Sequence, residues 1–330
     1  MSSKVFNILG QITLSDSKGS KYKGKNVGGS LSILSNAPKW LGPYLAGLIE
    51  GDGSIIVPGI DDMSRVPCIR ICFALKDLPL ATKLRDMLGY GRIVFPKTGE
   101  YVLWEITDME GFYVVATLVN GYFRTPKLEA LHRLVDWINA RSLVYLNKKG
   151  YIDFEFISLD KLGLDLSPIL GNSWLAGFSD ADSNFNVIIS QRSNKNSIRV
   201  QTQFRIELRQ TYHRKDMVGT YGTIYFDIMS IIANVLGVNV YNRARLLGES
   251  MTYQYYFVAG TVRARNTVRY YFTSFPLLSS KRLDFLDWCK IADLSKDIPL
   301  TASTISSCNK IKAGMNKGRT VFNWDHLSNL

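Results

Sequence analysis

YLAGLIEGDGSI (Tyr44–Ile55) and WLAGFSDADSNF (Trp174–Phe185) carry one pattern twice: an apolar helical run, small residues four apart, an acid, then the start of a strand. Asp52 and Asp182 hold equivalent places, 130 positions apart. The segments downstream of each copy also repeat in order. Alternating strands lead to a helix closing on Leu-Gly (ATKLRDMLGYG, then IMSIIANVLGV), a second strand pair, and a helix that starts near Lys127 (TPKLEALHRLVDWIN) or Lys281 (SSKRLDFLDWCKIA). Gly89 and Gly237 stand where a left-handed helix cap belongs. Each half is therefore expected to be an αββαββα module, and the whole an α+β fold. The expected organisation is a flexible leader at 1–37, a first module at 38–142, a linker at 143–171 with one short strand in YIDFEFI, a second module at 172–294, and a tail at 295–330 that wraps a surface.

Gly47 and Gly51 share one helix face, as do Gly177 and Ala181, and a face of small residues lets another helix approach closely. The two motif helices should then pack about a pseudo-two-fold axis, Gly47 against Gly177, with Asp52 and Asp182 meeting at the end of the seam. A helix C-terminus exposes unpaired carbonyls and partial negative charge, so two carboxylates there call for a cation. Hard ions such as Mg²⁺ or Mn²⁺ take oxygen ligands. Asp52 and Asp182, with the Gly51 and Ala181 carbonyls, form the expected set, holding two or more ions that activate water against a phosphodiester. Glu50 and Asp180 are the alternative ligands, but they lie about 200° around the helix from the seam. A single motif of this kind reads as a helix with a glycine stop; the duplication gives it chemical meaning.

Lys plus Arg outnumber Asp plus Glu by 40 to 28, giving a net charge of +12 and a pI near 9.4. That balance favours a polyanionic partner, nucleic acid before an acidic membrane surface. Four cysteines without paired spacing and three histidines argue against a zinc site or a disulfide framework, and point to reduced, mostly buried thiols. No apolar run reaches the ~20 residues of a membrane helix. The first 37 residues hold no Arg and make no clear transit peptide.

SIRVQTQFRIELRQ separates by parity. Arg199, Gln201, Gln203, Arg205, Glu207 and Arg209 face one way, and the apolar residues between them face the other. Alternate residues on a strand are ~6.6 Å apart, close to two base-pair steps, and Arg and Gln are bidentate readers of guanine and adenine edges. Asn184, Asn186, Arg192, Arg243 and Arg245 extend this face. In the first half only Arg70 stands on the polar side of its strand, beside Cys68 and Cys72; Arg65, Arg92, Lys97 and Tyr101 supplement it from strand ends. Lys127 and Lys281, at the N-terminal ends of the last helices, are expected to reach back to the centre and stabilise charge on a phosphate or position water.

These residues resemble the LAGLIDADG homing endonucleases, LAGLIEGDG with LAGFSDADS being similar to the single-chain, two-motif branch. The resemblance covers about residues 40–292. It implies two αββαββα modules whose motif helices pack at the interface and whose antiparallel sheets form a DNA-binding saddle. It also implies a monomer that cuts a long double-stranded DNA target across the minor groove, one strand per module, with Asp52 and Asp182 as metal-binding acids and Lys127 and Lys281 near the cleavage centre. Relatives are commonly encoded in introns of organellar genomes, fungal mitochondria especially. The alternative is a maturase that binds intron RNA, and a third reading is a DNA-binding regulator that has lost its chemistry; the two retained acids favour the nuclease. Two departures stand out. Ser183 replaces a motif glycine at a turn, and Leu75 and Leu208 are read in place of a water-holding Gln found in some relatives.

Overall fold

The computed structural model describes residues 33–62, 64–149, 158–191, 197–212, 224–296 and 299–330. The first half runs α1 (Leu41–Asp52), β1 (Gly53–Ile56), β2 (Cys68–Ala74), α2 (Leu78–Leu88), β3 (Arg92–Val94), β4 (Tyr101–Ile106), α3 (Met109–Val119) and α4 (Leu128–Lys149). The second runs α5 (Trp174–Asp182), β5 (Ser183–Gln191), β6 (Ile198–Arg209), α6 (Phe226–Leu236), β7 (Tyr241–Leu247), β8 (Ser250–Ala259), α7 (Val262–Ser274) and α8 (Lys281–Leu294), and α9 (Ala302–Ala313) lies in the tail. Both halves build a four-stranded antiparallel sheet of matching order, β1-β2-β4-β3 and β5-β6-β8-β7. The α+β duplication is as expected.

Among the described residues each half carries a further helix between its last strand and its final helix, beyond the αββαββα pattern: α3 in the first and α7 in the second. Asp108 accepts a hydrogen bond from the Gly111 amide (2.7 Å) to start α3, and Thr261 accepts one from Ala264 (3.2 Å) to start α7. Gly89 (φ +69°) and Gly237 (φ +66°) close α2 and α6 in the left-handed conformation that costs glycine nothing.

The strands bury one parity. In β6, Thr202, Phe204, Ile206 and Leu208 are buried while their neighbours in sequence are not. Phe185 on β5 sits 5.2–5.8 Å, ring to ring, from Phe204, Phe272, Phe285 and Trp288, so α7 and α8 clamp the inner face of the second sheet. Side chains of this size each contribute roughly 1.5–3 kcal/mol when fully buried. Ile69, Ile71 and Phe73 play that part in β2.

α1 is buried on every side from Leu41 to Glu50, which an all-round apolar helix requires. Its packing on α5 is the most extensive contact between any two elements among the described residues. A methyl on Gly47 would overlap the Trp174 carbonyl oxygen, and one on Gly177 the Tyr44 carbonyl oxygen. The glycines therefore set the approach distance, each against the facing backbone one turn earlier.

α4 continues to Lys149, past residue 142, and the strand expected in 151–157 lies outside the described residues. From 158 the connection is laid along the first module. The Asp165 amide donates to the Phe123 carbonyl (2.8 Å), and Arg124 pairs with Asp165 (2.5 Å) and donates to the Ser167 carbonyl (2.7 Å). The tail lies against the second module: Arg319 pairs with Asp284 and Asp287, His326 meets the Leu278 carbonyl (2.9 Å), and Cys308 is buried. All four cysteines are free thiols, three of them only half-buried. Among the described residues no helix is long and apolar enough to cross a membrane.

Candidate active site and nucleic-acid face

α1 and α5 each run straight into a strand at their acids. Gly53 (φ −94°, ψ 162°) and Ser183 (φ −100°, ψ 166°) are both extended, so Ser183 meets no left-handed strain. Its hydroxyl instead donates to the Ser179 carbonyl (2.7 Å), closing the last turn of α5. A serine in place of the motif glycine therefore carries no backbone cost at this turn.

At the foot of the seam Gly51 faces Ala181, and a Cβ built on Gly51 would lie 3.4 Å from Asp182 Oδ2. The carboxylate of the second motif thus reaches the backbone of the first. Burial, reinforced by the charge of Asp52, raises the Asp182 pKa to about 6, with Lys281 and Lys127 pulling the other way. Burial also raises Asp52, opposed by the same two lysines, although its side chain keeps an open solvent side. Asp182, raised by burial and by a neighbouring carboxylate, stands where added positive charge is favoured.

The two lysines meet at the same place from opposite halves. Lys127 Nζ donates to the carbonyls of Ile49 (3.2 Å), Gly51 (2.9 Å) and Gly53 (2.8 Å), and Lys281 Nζ to those of Ser179 (3.1 Å) and Ala181 (2.6 Å). Each ammonium caps the negative end of its own module's motif helix, where a cation is most stabilising. Burial lowers both lysine pKa values, and the nearby acids oppose that shift. The Gly51 and Ala181 carbonyls, expected as metal ligands, are thus engaged by lysine ammoniums.

Glu50 and Asp180 leave the seam and do different work. Glu50 accepts from the Arg124 and Thr125 amides (2.9 and 2.6 Å) and from Trp174 Nε1 of the other half (2.5 Å). Asp180 accepts from the Leu278 amide (2.8 Å), Ser279 Oγ (2.5 Å) and Tyr44 Oη of the other half (2.7 Å). Each buried acid therefore grips the chain leading into its own last helix and one donor from across the interface. Burial pushes Glu50 up to about 7 and also raises Asp180.

The donor set fits a hard divalent cation. Two carboxylates converge with solvent on one side, and among the described residues no group of three or more His, Cys, Asp or Glu side chains is placed to hold a metal ion by itself. The remaining ligands would come from water and phosphate, the usual partners of Mg²⁺.

The outer face of the second sheet holds most of the expected readers. Register puts Asn184 beside Arg205, Asn186 beside Gln203, Arg243 beside Gln254 and Arg245 beside Thr252, all on one face with Arg199, Gln201 and Arg209. Glu207 pairs with Arg205 and with Arg245 (2.9 Å), and the Arg205 and Arg243 guanidiniums lie 5.0 Å from the centre of the Tyr256 ring. Asn184 also donates to Asn316 of the tail (3.0 Å). Arg192 lies outside the described residues. On the first sheet Arg70 is held by Glu105 (2.7 Å), which also pairs with Arg92 (3.2 Å). Arg65 pairs with Asp62, while Lys97 and Tyr101 are exposed.

Sequence reasoning missed Tyr256, Gln254 and Glu105, although the alternation in MTYQYYFV could have revealed the first two. It also slipped the repeat by two residues at the strand ends. Gly53 pairs with Ile71 and Ser183 with Ile206, and the Leu75 and Gln210 amides donate to Glu100 and Tyr253 (2.8 and 2.9 Å), so Gln210, not Leu208, is the counterpart of Leu75. Leu208 is buried in the core.

A profile of the LAGLIDADG endonuclease family matches residues 45–138 and 175–292. The chain is 38% identical over 307 residues to the intron-encoded DNA endonuclease aI3 of Saccharomyces cerevisiae, across 88% of this chain and 72% of that protein. It is 30% identical over 270 residues to a cox1 intron-2 protein of Schizosaccharomyces pombe, across 82% of this chain and 71% of the relative. Among solved structures it is similar in fold to I-SmaMI bound to cleaved DNA (TM-score 0.59, 18% identity, 86% of this chain and 99% of that one). It is equally similar to I-AabMI bound to uncleaved DNA (TM-score 0.59, 20% identity, 85% and 100%).

Proposed function

Because this chain belongs to the LAGLIDADG endonuclease family, we propose that it is a site-specific double-strand DNA endonuclease, a homing endonuclease with one composite cutting centre. The observation that carries the reading is the convergence of the two motif-helix ends, with Asp182 Oδ2 beside Gly51. Asp52 and Asp182 would hold Mg²⁺ or Mn²⁺, two or more ions. When bound, such cations supply charge to the scissile phosphate and lower the pKa of attacking water.

The chain's own residues do the rest. The glycine seam fixes the distance between the two carboxylates, so that each half addresses one strand. Lys127 and Lys281 neutralise the helix ends from beneath and leave the acids free to face the phosphates. The second sheet reads base edges in the major groove through Arg199, Gln201, Gln203, Arg205, Arg209, Arg243 and Arg245, while Glu207 and Tyr256 hold the guanidiniums apart and in place. Arg70 is the first sheet's reader. The net charge of +12 suits a long phosphate backbone. The protein acts as a monomer, its pseudo-dimer being already complete in one chain. The cox1 intron relative supports a mitochondrial, intron-encoded origin.

The test is incubation with DNA carrying the joined sequences that flank the encoding intron, with Mg²⁺, with Mn²⁺ and with neither. Cutting of both strands that requires the added ion is expected. Tight binding to intron RNA with no cutting under any ion would replace the nuclease by the maturase.

A further inference from the structure

Asp77 closes a short 3₁₀ turn (Leu75–Asp77) and stands at the N-cap of α2, yet its side chain caps nothing there. It is buried, and Oδ1 accepts a hydrogen bond of 2.7 Å from the Ser280 amide, 203 residues away in the other half. Ser280 is the N-cap of α8 and has no side-chain cap of its own; Lys281 is that helix's first residue. A carboxylate from the first module therefore caps the last helix of the second. An anion at that end is stabilised by the positive end of the helix dipole and satisfies an otherwise orphan amide.

The consequence reaches the centre through one residue. The Leu278–Lys281 segment is gripped from two sides, by Asp180 of its own half and by Asp77 of the other, and Lys281 Nζ then spans to the Ser179 and Ala181 carbonyls. Asp77 also lies close enough to bear on the charges of Lys281 and Asp52. Among the described residues the first half lacks the device. The register that equates Leu75 with Gln210 puts Tyr212 at the position of Asp77, and the Arg124–Lys127 segment rests on Glu50.

We infer that Asp77 is a positioning residue that acts across the module interface on Lys281, and so controls one of the two strand cuts. Its strand effect rests on the nuclease reading. Among the described residues no carboxylate of the second half caps the Lys127 segment in the same way.

The test is strand-resolved cleavage of a supercoiled plasmid carrying the joined flanking sequences, for wild type, Asp77→Ala, Asp77→Asn, Lys281→Met and Lys127→Met. Asp77→Ala should slow one strand by about tenfold to a hundredfold, the cost of a small misplacement at a reacting centre. Nicked circles then accumulate, with the intact strand the one that Lys281→Met also spares and Lys127→Met does not. Asp77→Asn keeps the accepting oxygen and should restore most of the second cut. Equal slowing of both strands, or the bias of Lys127→Met, overturns the inference. Amide hydrogen exchange gives a readout independent of cutting. Exchange across 278–283 should rise in Asp77→Ala while 125–130 is unchanged, and equal exchange overturns the positioning role even where the wild type fails to cut and the nuclease reading falls with it.

Discussion

The two halves agree at the centre and part company at the rim. Around the seam nearly every feature has its counterpart: Gly47 and Gly177, Asp52 and Asp182, Lys127 and Lys281, and the buried pair Glu50 and Asp180 with their crossing donors Trp174 and Tyr44. On the outer sheets the likeness ends. The second sheet has strands up to 12 residues long and a face of Arg, Gln and Asn, whereas the first has strands of three to seven and shows Cys68, Cys72 and an Arg70 already paired to Glu105. Positions that touch both halves at van der Waals distance have no freedom to drift apart. A solvent-facing strand surface has a great deal, because substitutions there usually cost little.

The largest effect tests the seam. Gly47→Ala and Gly177→Ala each drive a methyl into a facing carbonyl that sits in helix backbone and cannot swing away, so each should cost more than about 3 kcal/mol by urea unfolding. Losses below about 1 kcal/mol in either would show that the helices are not held at that distance. Next come the crossing donors. Tyr44→Phe and Trp174→Phe each leave a buried carboxylate one donor short, for roughly 1–3 kcal/mol apiece. Matched losses sharpen the symmetry, and a Tyr44 effect near zero would break it. The rim should be unequal. Arg205→Ala should weaken target binding by roughly 1–3 kcal/mol and relax the preference at one base. Arg70→Ala removes a lone reader set between Cys68 and Cys72 on a seven-residue strand, and should cost under about 1 kcal/mol; equal losses would remove the distinction between the sheets.

The centre was legible in the sequence because it is duplicated. A small-residue face and an acid, repeated at one spacing, constrain each other, and the modules, sheets and seam come with them. Three features were not legible. α3 (MEGFYVVATLV) and α7 (VRARNTVRYYFTS) share so little sequence that comparing the repeats passes over them, although Asp108 and Thr261 mark their starts. The Leu208 misplacement is a slip of two residues, and a strand pattern of period two looks the same after such a slip; only pairing to β5 and β8 fixes Gln210. The lysine caps and the Asp77 link join groups from about 75 to more than 200 positions apart, a distance at which local pattern says nothing.

The central claim is that Asp52 and Asp182 form one centre, each necessary, at the end of a seam that exists without them. Cleavage and binding of the same target by Asp52→Asn and Asp182→Asn test it most directly. Each single change should lower the double-strand cutting rate by more than about a thousandfold while target affinity stays within about threefold. Cutting that survives in either variant, or binding lost in step with cutting, would contradict it.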